Sequence, residues 1–210
     1  MTTLCLGPDI PQLLIGEEVV HCPLIQITPR QPSNQDIVKA GANWSYYTHF
    51  IFTSKAAVNV AAELFGVCPD TMNCQSVIAV GDATAQCLAK RGISCRYVAA
   101  KSTAEGIVAL LTTLDFDGAL IVWPRSARAR PIISDYLLLR GACYHAPIIY
   151  DTDLCVPSPL PSLDRIDTIF FSSPSTIDGF LNAYTVIPSD KSIRCIGPIT
   201  QSYLDRTVSV

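Results

Sequence analysis

Thr48-His-Phe-Ile-Phe-Thr-Ser-Lys-Ala-Ala-Val-Asn-Val-Ala-Ala-Glu-Leu-Phe65 is the stretch that decides the fold. His49 to Phe52 is a short apolar run suited to a buried strand. Thr53 and Ser54 interrupt it with two hydroxyls, and Lys55 follows. Val58, Ala61, Ala62 and Phe65 then recur at i, i+3, i+4 and i+7, the apolar stripe of a helix. Strand, hydroxyl corner and helix in that order predict an α/β unit. Its helix start directs backbone N–H groups out of a sheet edge, where they favour an anionic guest.

Working outward, the same unit occurs again. Asp167-Thr-Ile-Phe-Phe-Ser-Ser-Pro-Ser-Thr-Ile177 repeats the strand and the hydroxyl pair, now Ser172 and Ser173. Pro174 suits a first helical turn, where its missing N–H costs nothing. Ile177, Phe180, Leu181 and Tyr184 repeat the helical stripe. A second pattern is also doubled: Val77-Ile-Ala-Val-Gly-Asp-Ala-Thr84 is echoed by Ile193-Arg-Cys-Ile-Gly-Pro-Ile-Thr200. Each is an apolar strand, a glycine, two residues, a threonine and then a helical pattern. A paired repeat of this length predicts two similar α/β units.

The ordered set Phe52-Thr-Ser54, Gly81-Asp-Ala-Thr84, Tyr150-Asp-Thr152, Phe171-Ser-Ser-Pro174 and Gly197-Pro-Ile-Thr200 resembles the uroporphyrinogen-III synthase family over nearly the whole chain. No single element is specific; the five in order, with a repeat, are. The resemblance implies two parallel-sheet, flavodoxin-like domains joined by a two-stranded linker, one inserted in the other, with an active site in the cleft between them. The chain departs from the family pattern where its first strand ends in Leu6-Gly7-Pro8 rather than Thr-Arg-Pro. Its first helix is cut to a remnant, and it stops six residues after Leu204, without a last strand and helix. Domain one is therefore expected to be trimmed.

Composition bounds the reading without deciding it. The 210 residues leave room for one large domain or two small ones. An apolar fraction of 49% against a charged fraction of 16% supports a buried core and excludes disorder. No apolar run reaches membrane-spanning length, and Met1-Thr-Thr-Leu-Cys lacks the pattern of a signal peptide. Nine cysteines, Cys5, Cys22, Cys68, Cys74, Cys87, Cys95, Cys143, Cys155 and Cys195, include no C-x-x-C. They read as free thiols in a reducing cytoplasm. His21, His49 and His145 have no ligand spacing, so no metal is expected. Net charge is −3, which argues against a nucleic-acid partner. Lys90 to Arg140 carries eight basic and four acidic side chains, a surface that reads equally as a solvated face or as steering for a small anion.

In chain order, Leu4 to Leu6 reads as a first strand, and Ile10 to Ile15 has room for a turn or two. Val19 to Ile27 is extended with Pro23 at a transition. Thr28 to Asn34 is a Pro-rich connector, and Asn34 to Ala42 a short helix. Gly92 reads as a helix C′ residue. Ser94 to Val98 is a strand. Ser102 and Glu105 form a possible capping box. Ala119 to Trp123 is another strand, and Pro124 to Arg130 an Arg-rich loop leading into a helix that ends near Gly141. Cys143 to Tyr150 is the next strand. Asp151 to Leu163, with three prolines, reads as a linker. These boundaries predict domain one as residues 1–26 plus 153–210 and domain two as 30–148, with linkers at about 24–30 and 147–159.

No G-x-G-x-x-G, G-x-x-x-x-G-K-[ST] or G-x-S-x-G occurs, so dinucleotide, phosphate-loop and serine-elbow chemistry are unsupported. What remains is a set of hydroxyl-bearing helix starts. Taken singly, each reads as capping. Four at equivalent places point to carboxylates bound by amides and hydroxyls. The resemblance implies such a substrate, hydroxymethylbilane, a chain of four pyrroles each bearing an acetate and a propionate. The family closes it with inversion of ring D and loss of water, without a cofactor, as a carbon–oxygen lyase of haem biosynthesis. Orientation of the chain ends supplies most of such catalysis, with one acid to assist the leaving hydroxyl. Tyr150 matches the family's noted tyrosine and is the expected catalytic residue; packing on a linker strand is its bland alternative. Thr53, Ser54, Lys55, Gly81, Thr84, Arg130, Ser172, Ser173, Gly197 and Thr200 are the expected substrate-binding residues. The chain is expected to act as a monomer, with no membrane partner. Rival readings are a non-catalytic two-domain protein binding a small anion and, with less support, a nucleotide-dependent flavodoxin-like enzyme.

Overall fold

The computed structural model describes residues 1–66, 72 and 75–208. Among them the strands in chain order are β1 (Thr2–Cys5), β2 (Glu18–His21), β3 (Ile25–Pro29), β4 (His49–Phe52), β5 (Ser76–Ala79), β6 (Tyr97–Val98), β7 (Leu120–Val122), β8 (Arg125–Ser126), β9 (Cys143–His145), β10 (Ile148–Leu154), β11 (Thr168–Phe171) and β12 (Ser192–Cys195). The helices are α1 (Gln35–Ala42), α2 (Lys55–Phe65), α3 (Asp82–Ala89), α4 (Ala104–Leu111), α5 (Ile132–Leu139), α6 (Pro174–Tyr184) and α7 (Pro198–Val208). The chain divides into two compact units, a smaller one of Met1–Ile27 with Thr152–Val210 and a larger one of Thr28–Asp151.

The larger unit is built on a five-stranded sheet in the order β6-β5-β4-β7-β9. Every pairing in it is parallel. Parallel strands need covering on both faces, and this is why β4 and β5 are continuous apolar runs rather than alternating ones. Ile51, Ile78 and Ile121 pack on one face against Ile107 and Leu111 of α4 and Ile133 and Leu137 of α5. Phe50 points to the other face, edge-on to Trp44, whose ring stacks on Phe65 of α2 at 4.3 Å. Each such fully buried side chain contributes about 1.5–3 kcal/mol. Numbered within the sheet, the strand order is 3-2-1-4-5, so the winding reverses between β4 and β7. That reversal is where open α/β sheets form a crevice beyond the carboxyl ends of their strands.

The smaller unit carries a four-stranded parallel sheet in the order β12-β11-β1-β2. Leu4, Leu6, Ile169 and Phe171 pack with Ile177 and Phe180 of α6 and Leu204 of α7. The opposite face is thinner: Cys5 and Phe170 are covered by Leu14, from a single 3₁₀ turn at Gln12–Leu14. This turn lies in the stretch read as holding a turn or two. Winding in this unit reverses between β1 and β11. A third sheet, β3-β10-β8, includes the two places where the chain passes from one unit to the other. Its β3–β10 pair is antiparallel: Arg30 N–H donates to Ile149 O at 2.9 Å and Cys155 N–H to Leu24 O at 3.0 Å.

Helix ends follow local chemistry. Asn34 caps α1 by accepting from Asp36 N–H at 3.0 Å. Gly92 ends α3 at φ +76°. There Ile93 N–H reaches Leu88 O at 3.0 Å and Gly92 N–H reaches Ala89 O at 2.9 Å, the paired bonds of a Schellman motif.

Five local readings are corrected. The cap of α4 is Thr103, whose Oγ1 accepts from Gly106 N–H at 3.0 Å; Ser102 faces Gly81 instead, and Glu105 is drawn away by Arg130. Cys143 to Tyr150 is two strands, because Pro147 has no N–H for a ladder, and β10 continues to Leu154 inside the segment read as linker. The Arg-rich loop contains β8. The strand read over Ser94 to Val98 keeps only Tyr97 and Val98.

Candidate active site

The carboxyl edge of the larger sheet gathers several of the expected residues. β4 ends at Phe52; Thr53 and Ser54 follow, and Ser54 caps α2, its Oγ accepting from Ala57 N–H at 2.9 Å. No acidic residue lies in the first turn of α2, whose first residue is Lys55, so its positive end is not neutralised locally. At the winding reversal, the indole Nε1 of Trp123, just past β7, donates to Thr53 Oγ1 at 3.2 Å. The Arg125 guanidinium lies 5.5 Å from the Trp123 ring.

Gly81 caps α3 with backbone alone. A Cβ there would come within 2.1 Å of Ser102 Oγ, so glycine is what lets this serine close over the corner. Asp82 in the first turn opposes an anion at this helix start. Thr84, read as a cleft hydroxyl, is buried, with 4% of its surface exposed.

Tyr150 reaches this edge through an irregular ladder. Trp123 N–H donates to His145 O, Arg125 N–H to Pro147 O and Ala127 N–H to Tyr150 O, at 2.9, 3.0 and 3.1 Å. The register shifts between Ile148 and Tyr150. One extra residue on β10 breaks alternation, so Ile149 and Tyr150 are both buried, and the bulge re-aims the tyrosine. Its hydroxyl lies 2.9 Å from Ser54 Oγ. Burial pushes the phenol above its ordinary range, while hydrogen bonds from Ser54 and Ser126 pull the other way. Tyr150 is therefore a neutral O–H donor at physiological pH.

Arg130 is not an unpartnered cation. Its two terminal nitrogens reach the two Glu105 carboxylate oxygens at 2.7 and 3.0 Å. Those bonds hold the Glu105 carboxyl down at about 2. Trp123, Ser102 and Ser126 belong to this edge and were missed in the sequence. Trp123 ends an apolar run just as Phe52 does, and that parallel was the available signal.

The smaller unit presents a related edge. Ser172 and Ser173 follow β11 and lead into α6, where Ser173 N–H donates to Thr176 Oγ1 at 3.2 Å. A Cβ at Gly7, just past β1, would lie 2.5 Å from Ser172 Oγ. His21 Nε2 lies 2.9 Å from Gly7 O. Thr200 is buried at 3% exposure, matching Thr84, whereas a Cβ at Gly197 would meet nothing within 4 Å.

Among the described residues no group of three or more His, Cys, Asp or Glu side chains is placed to hold a metal ion. Seven described cysteines are free; Cys68 and Cys74 lie outside the described residues. No described helix is long and apolar enough to cross a membrane. A surface concavity lined by Asp115, Gly118, Arg140 and Cys143 lies at the amino ends of β7 and β9, away from the Tyr150 edge.

Comparison with known proteins agrees with this architecture. The model of the family "Uroporphyrinogen-III synthase HemD" matches residues 14–208. A Methanothermobacter thermautotrophicus protein named "Putative uroporphyrinogen-III synthase" is 28% identical over 177 residues, covering 74% of this chain and 67% of that protein. The crystal structure of uroporphyrinogen-III synthetase from Helicobacter pylori superposes with a TM-score of 0.69 at 16% identity, over 99% of this chain and 89% of that one. A mutant uroporphyrinogen III synthase from Thermus thermophilus gives 0.63 at 13% identity, over 98% and 88%. At these identities the structural likeness speaks for an α/β fold with parallel sheets. The family match spans nearly the whole chain, and on it the chain belongs to the uroporphyrinogen-III synthase family, lyases that close hydroxymethylbilane to uroporphyrinogen III with inversion of ring D in tetrapyrrole biosynthesis.

Proposed function

We propose that Tyr150 assists departure of the terminal hydroxyl of hydroxymethylbilane, and that the carboxyl edges of the two parallel sheets receive the substrate's carboxylates. The observation that carries this is the neutral Tyr150 hydroxyl, held 2.9 Å from the Ser54 cap at the carboxyl edge of the larger sheet. The carbon–oxygen bond at ring A breaks with the electron pair leaving on oxygen. A proton supplied through the phenol makes that oxygen water. The ring A N–H proton is the one lost as the azafulvene forms, so the phenol is restored and no outside reagent is required. The substituted carbon of ring D then attacks, and the spiro intermediate fragments and recloses. Because the substrate makes its own electrophile, the chief task of the protein is to hold the chain ends together in the inverting geometry.

Carboxylate binding falls first to the start of α2, with Thr53, Ser54 and Lys55, where no first-turn acid competes. In the smaller unit it falls to Ser172, Ser173 and the open backbone beside Gly197. Gly81 contributes by admitting Ser102. Thr84 and Thr200 are assigned to holding their helix starts, since both are buried. Arg130 contributes through the Glu105 pair rather than as a lone cation. The same reading makes the chain two flavodoxin-like domains joined by the β3–β10 ladder, a cytoplasmic monomer working without a cofactor and with no nucleic-acid partner. The test is isomer analysis. Hydroxymethylbilane is generated, the protein added, and the porphyrin isomers separated after oxidation. Isomer III well above the protein-free control is expected; isomer I alone contradicts the assignment and leaves a small-anion binder.

A further inference from the structure

The larger unit buries two tryptophans in different ways. Trp44, against Phe50 on one face of the sheet, is 8% exposed, and its indole N–H finds no acceptor among the described residues. Trp123 packs with Ile51 and Ile121 on the other face, is 2% exposed, and donates from Nε1 to Thr53 Oγ1 at 3.2 Å. Trp123 stands one residue past β7 and Thr53 one residue past β4, the strands that flank the winding reversal. Counting on from the register Phe50↔Val122, Trp123 falls opposite Ile51, so its indole leans forward along the strands to reach Thr53. Two further contacts fix it there. Its backbone N–H donates to His145 O at 2.9 Å. The Arg125 guanidinium lies 5.5 Å from its ring and donates to Ala146 O at 3.3 Å and Ser126 O at 3.4 Å.

An indole N–H only donates, whereas a hydroxyl has one proton and two lone pairs. Thr53 is therefore the acceptor, and one of its lone pairs is taken by the indole. Nothing else among the described residues bonds to this hydroxyl. Thr53 is partly exposed, so its own proton is left for solvent or a guest. We infer that Trp123 is a positioning residue, which fixes the Thr53 side chain and turns its O–H, as a donor, towards a substrate carboxylate at the start of α2. The inference rests on the proposed carboxylate binding at that helix start and deepens it. It gives a role to an aromatic side chain that packing alone does not explain.

Threonine is branched at Cβ, so its χ1 wells decide whether the hydroxyl or the methyl faces a given neighbour. Turning the methyl of Thr53 towards Trp123 would leave a buried indole N–H without a partner, which is costly. The hydroxyl therefore stays in place before any guest arrives. An oxygen that already accepts a hydrogen bond is polarised, and its own proton becomes a better donor. A carboxylate gains most from such a donor, because charge-assisted hydrogen bonds are about twice as strong as neutral ones. Ser54 differs, since its oxygen is already committed to Ala57 N–H at the cap.

The chain has two tryptophans, so its NMR spectrum holds two indole N–H resonances, and Trp44→Phe assigns them. Thr53→Val keeps the shape of the side chain and removes the acceptor. It should move the Trp123 indole proton upfield and leave that of Trp44 in place. Uroporphyrinogen III added to the parent under anaerobic conditions should shift the Trp123 resonance and not the Trp44 one, and Thr53→Val should abolish that shift. In turnover, Trp123→Phe should raise KM for hydroxymethylbilane about three- to fivefold, with kcat changed by less than about twofold and isomer III still the product. In a Thr53→Val background, Trp123→Phe should add no further rise, and Thr53→Ser should keep KM within about twofold of the parent. An unmoved Trp123 resonance in Thr53→Val, equal shifts of both indoles on adding uroporphyrinogen III, or a KM that rises by the same factor with and without the Thr53 hydroxyl overturns the inference. Should Trp123→Phe fail to fold, the resonances, read with Trp123 in place, decide. Isomer III from a parent whose Trp123 resonance ignores uroporphyrinogen III overturns the inference alone; a parent that makes no isomer III overturns the functional reading and the inference with it.

Discussion

The two units solve the same problem with different chemistry. In each, parallel strands wind outward from a reversal, and a hydroxyl-bearing corner stands just beyond it. In the larger unit the reversal between β4 and β7 is filled by an indole bonded to Thr53, and a buried phenol stands on the neighbouring cap. In the smaller unit the reversal between β1 and β11 holds Gly7 under Ser172, with the His21 imidazole 2.9 Å from Gly7 O. An indole and a phenol exclude water and present one directed donor; a glycine under a serine presents backbone and small hydroxyls. On the proposed function, proton-linked chemistry falls to the larger unit and carboxylate binding is shared by both. The difference also separates what the repeat shares for folding from what it shares for function.

The strongest test of the shared scaffold is a pair of helix glycines. A Cβ at Gly106 in α4 would lie 1.9 Å from Lys101 O, and one at Gly179 in α6 would lie 2.9 Å from Leu24 O. Both neighbours are backbone atoms and cannot swing away. Gly106→Ala should cost about 3 kcal/mol or more and Gly179→Ala about 1–3 kcal/mol by denaturant unfolding, as overpacking does. Equal, negligible costs would show that both helices shift freely and that the close approaches are incidental.

Next in size are the buried threonines Thr84 and Thr200. If they hold helix starts, Thr84→Val and Thr200→Val should each cost about 1 kcal/mol of stability and change KM by less than about twofold. A rise in KM for Thr84→Val alone would move this residue back to the substrate and sharpen the contrast between units.

The smallest effect concerns the arginine–glutamate clamps, Arg130–Glu105 in the larger unit and Arg194–Glu17 in the smaller. The Glu105 carboxyl is lowered to about 2, first by its hydrogen bonds from Arg130. A lowered carboxylate stabilises the fold above the unfolded carboxylate range and loses that contribution as pH falls towards 2. The pair is half-exposed, so solvent screening limits it to about 1 kcal/mol or less. The stability difference between the parent and Glu105→Gln should therefore be constant near neutral pH and shrink between about pH 4.5 and 2. A difference independent of pH would mean that the pair does not persist in solution. Glu17, lowered by Arg194 and Thr3, should show the same sign.

Much of the strand and helix order was legible because a buried parallel strand leaves a continuous apolar run and a helix leaves a 3.6-residue stripe. Phe50-Ile-Phe52 and Val58/Ala61 are such cases, and so is the glycine that ends α3. The misread places are those where long-range partners override local pattern. β8 is two residues held only by β10, and Ser102 lost its cap to Thr103 because it packs on Gly81. At the site, the hydroxyl corners could be seen, but whether a hydroxyl is exposed could not. Thr84 and Thr53 look alike in the chain; one is buried in a helix turn and the other accepts from an indole. Arg130 was expected to bind substrate, and its carboxylate partner, 25 residues away, could not be seen. Ser126 had no local signal, since it stands opposite Tyr150 only through a register shift on another strand.

The most direct test is isomer-resolved turnover of Tyr150→Phe against the parent on freshly generated hydroxymethylbilane. The substitution keeps the ring and removes the directed proton. With the phenol as the assisting acid, kcat should fall on the order of 10²-fold or more, while the remaining product is still isomer III, because folding of the bilane sets the inversion. A Tyr150→Phe protein with full activity would leave the tyrosine as a packing residue, and one that turns over but releases isomer I would show that it governs geometry instead.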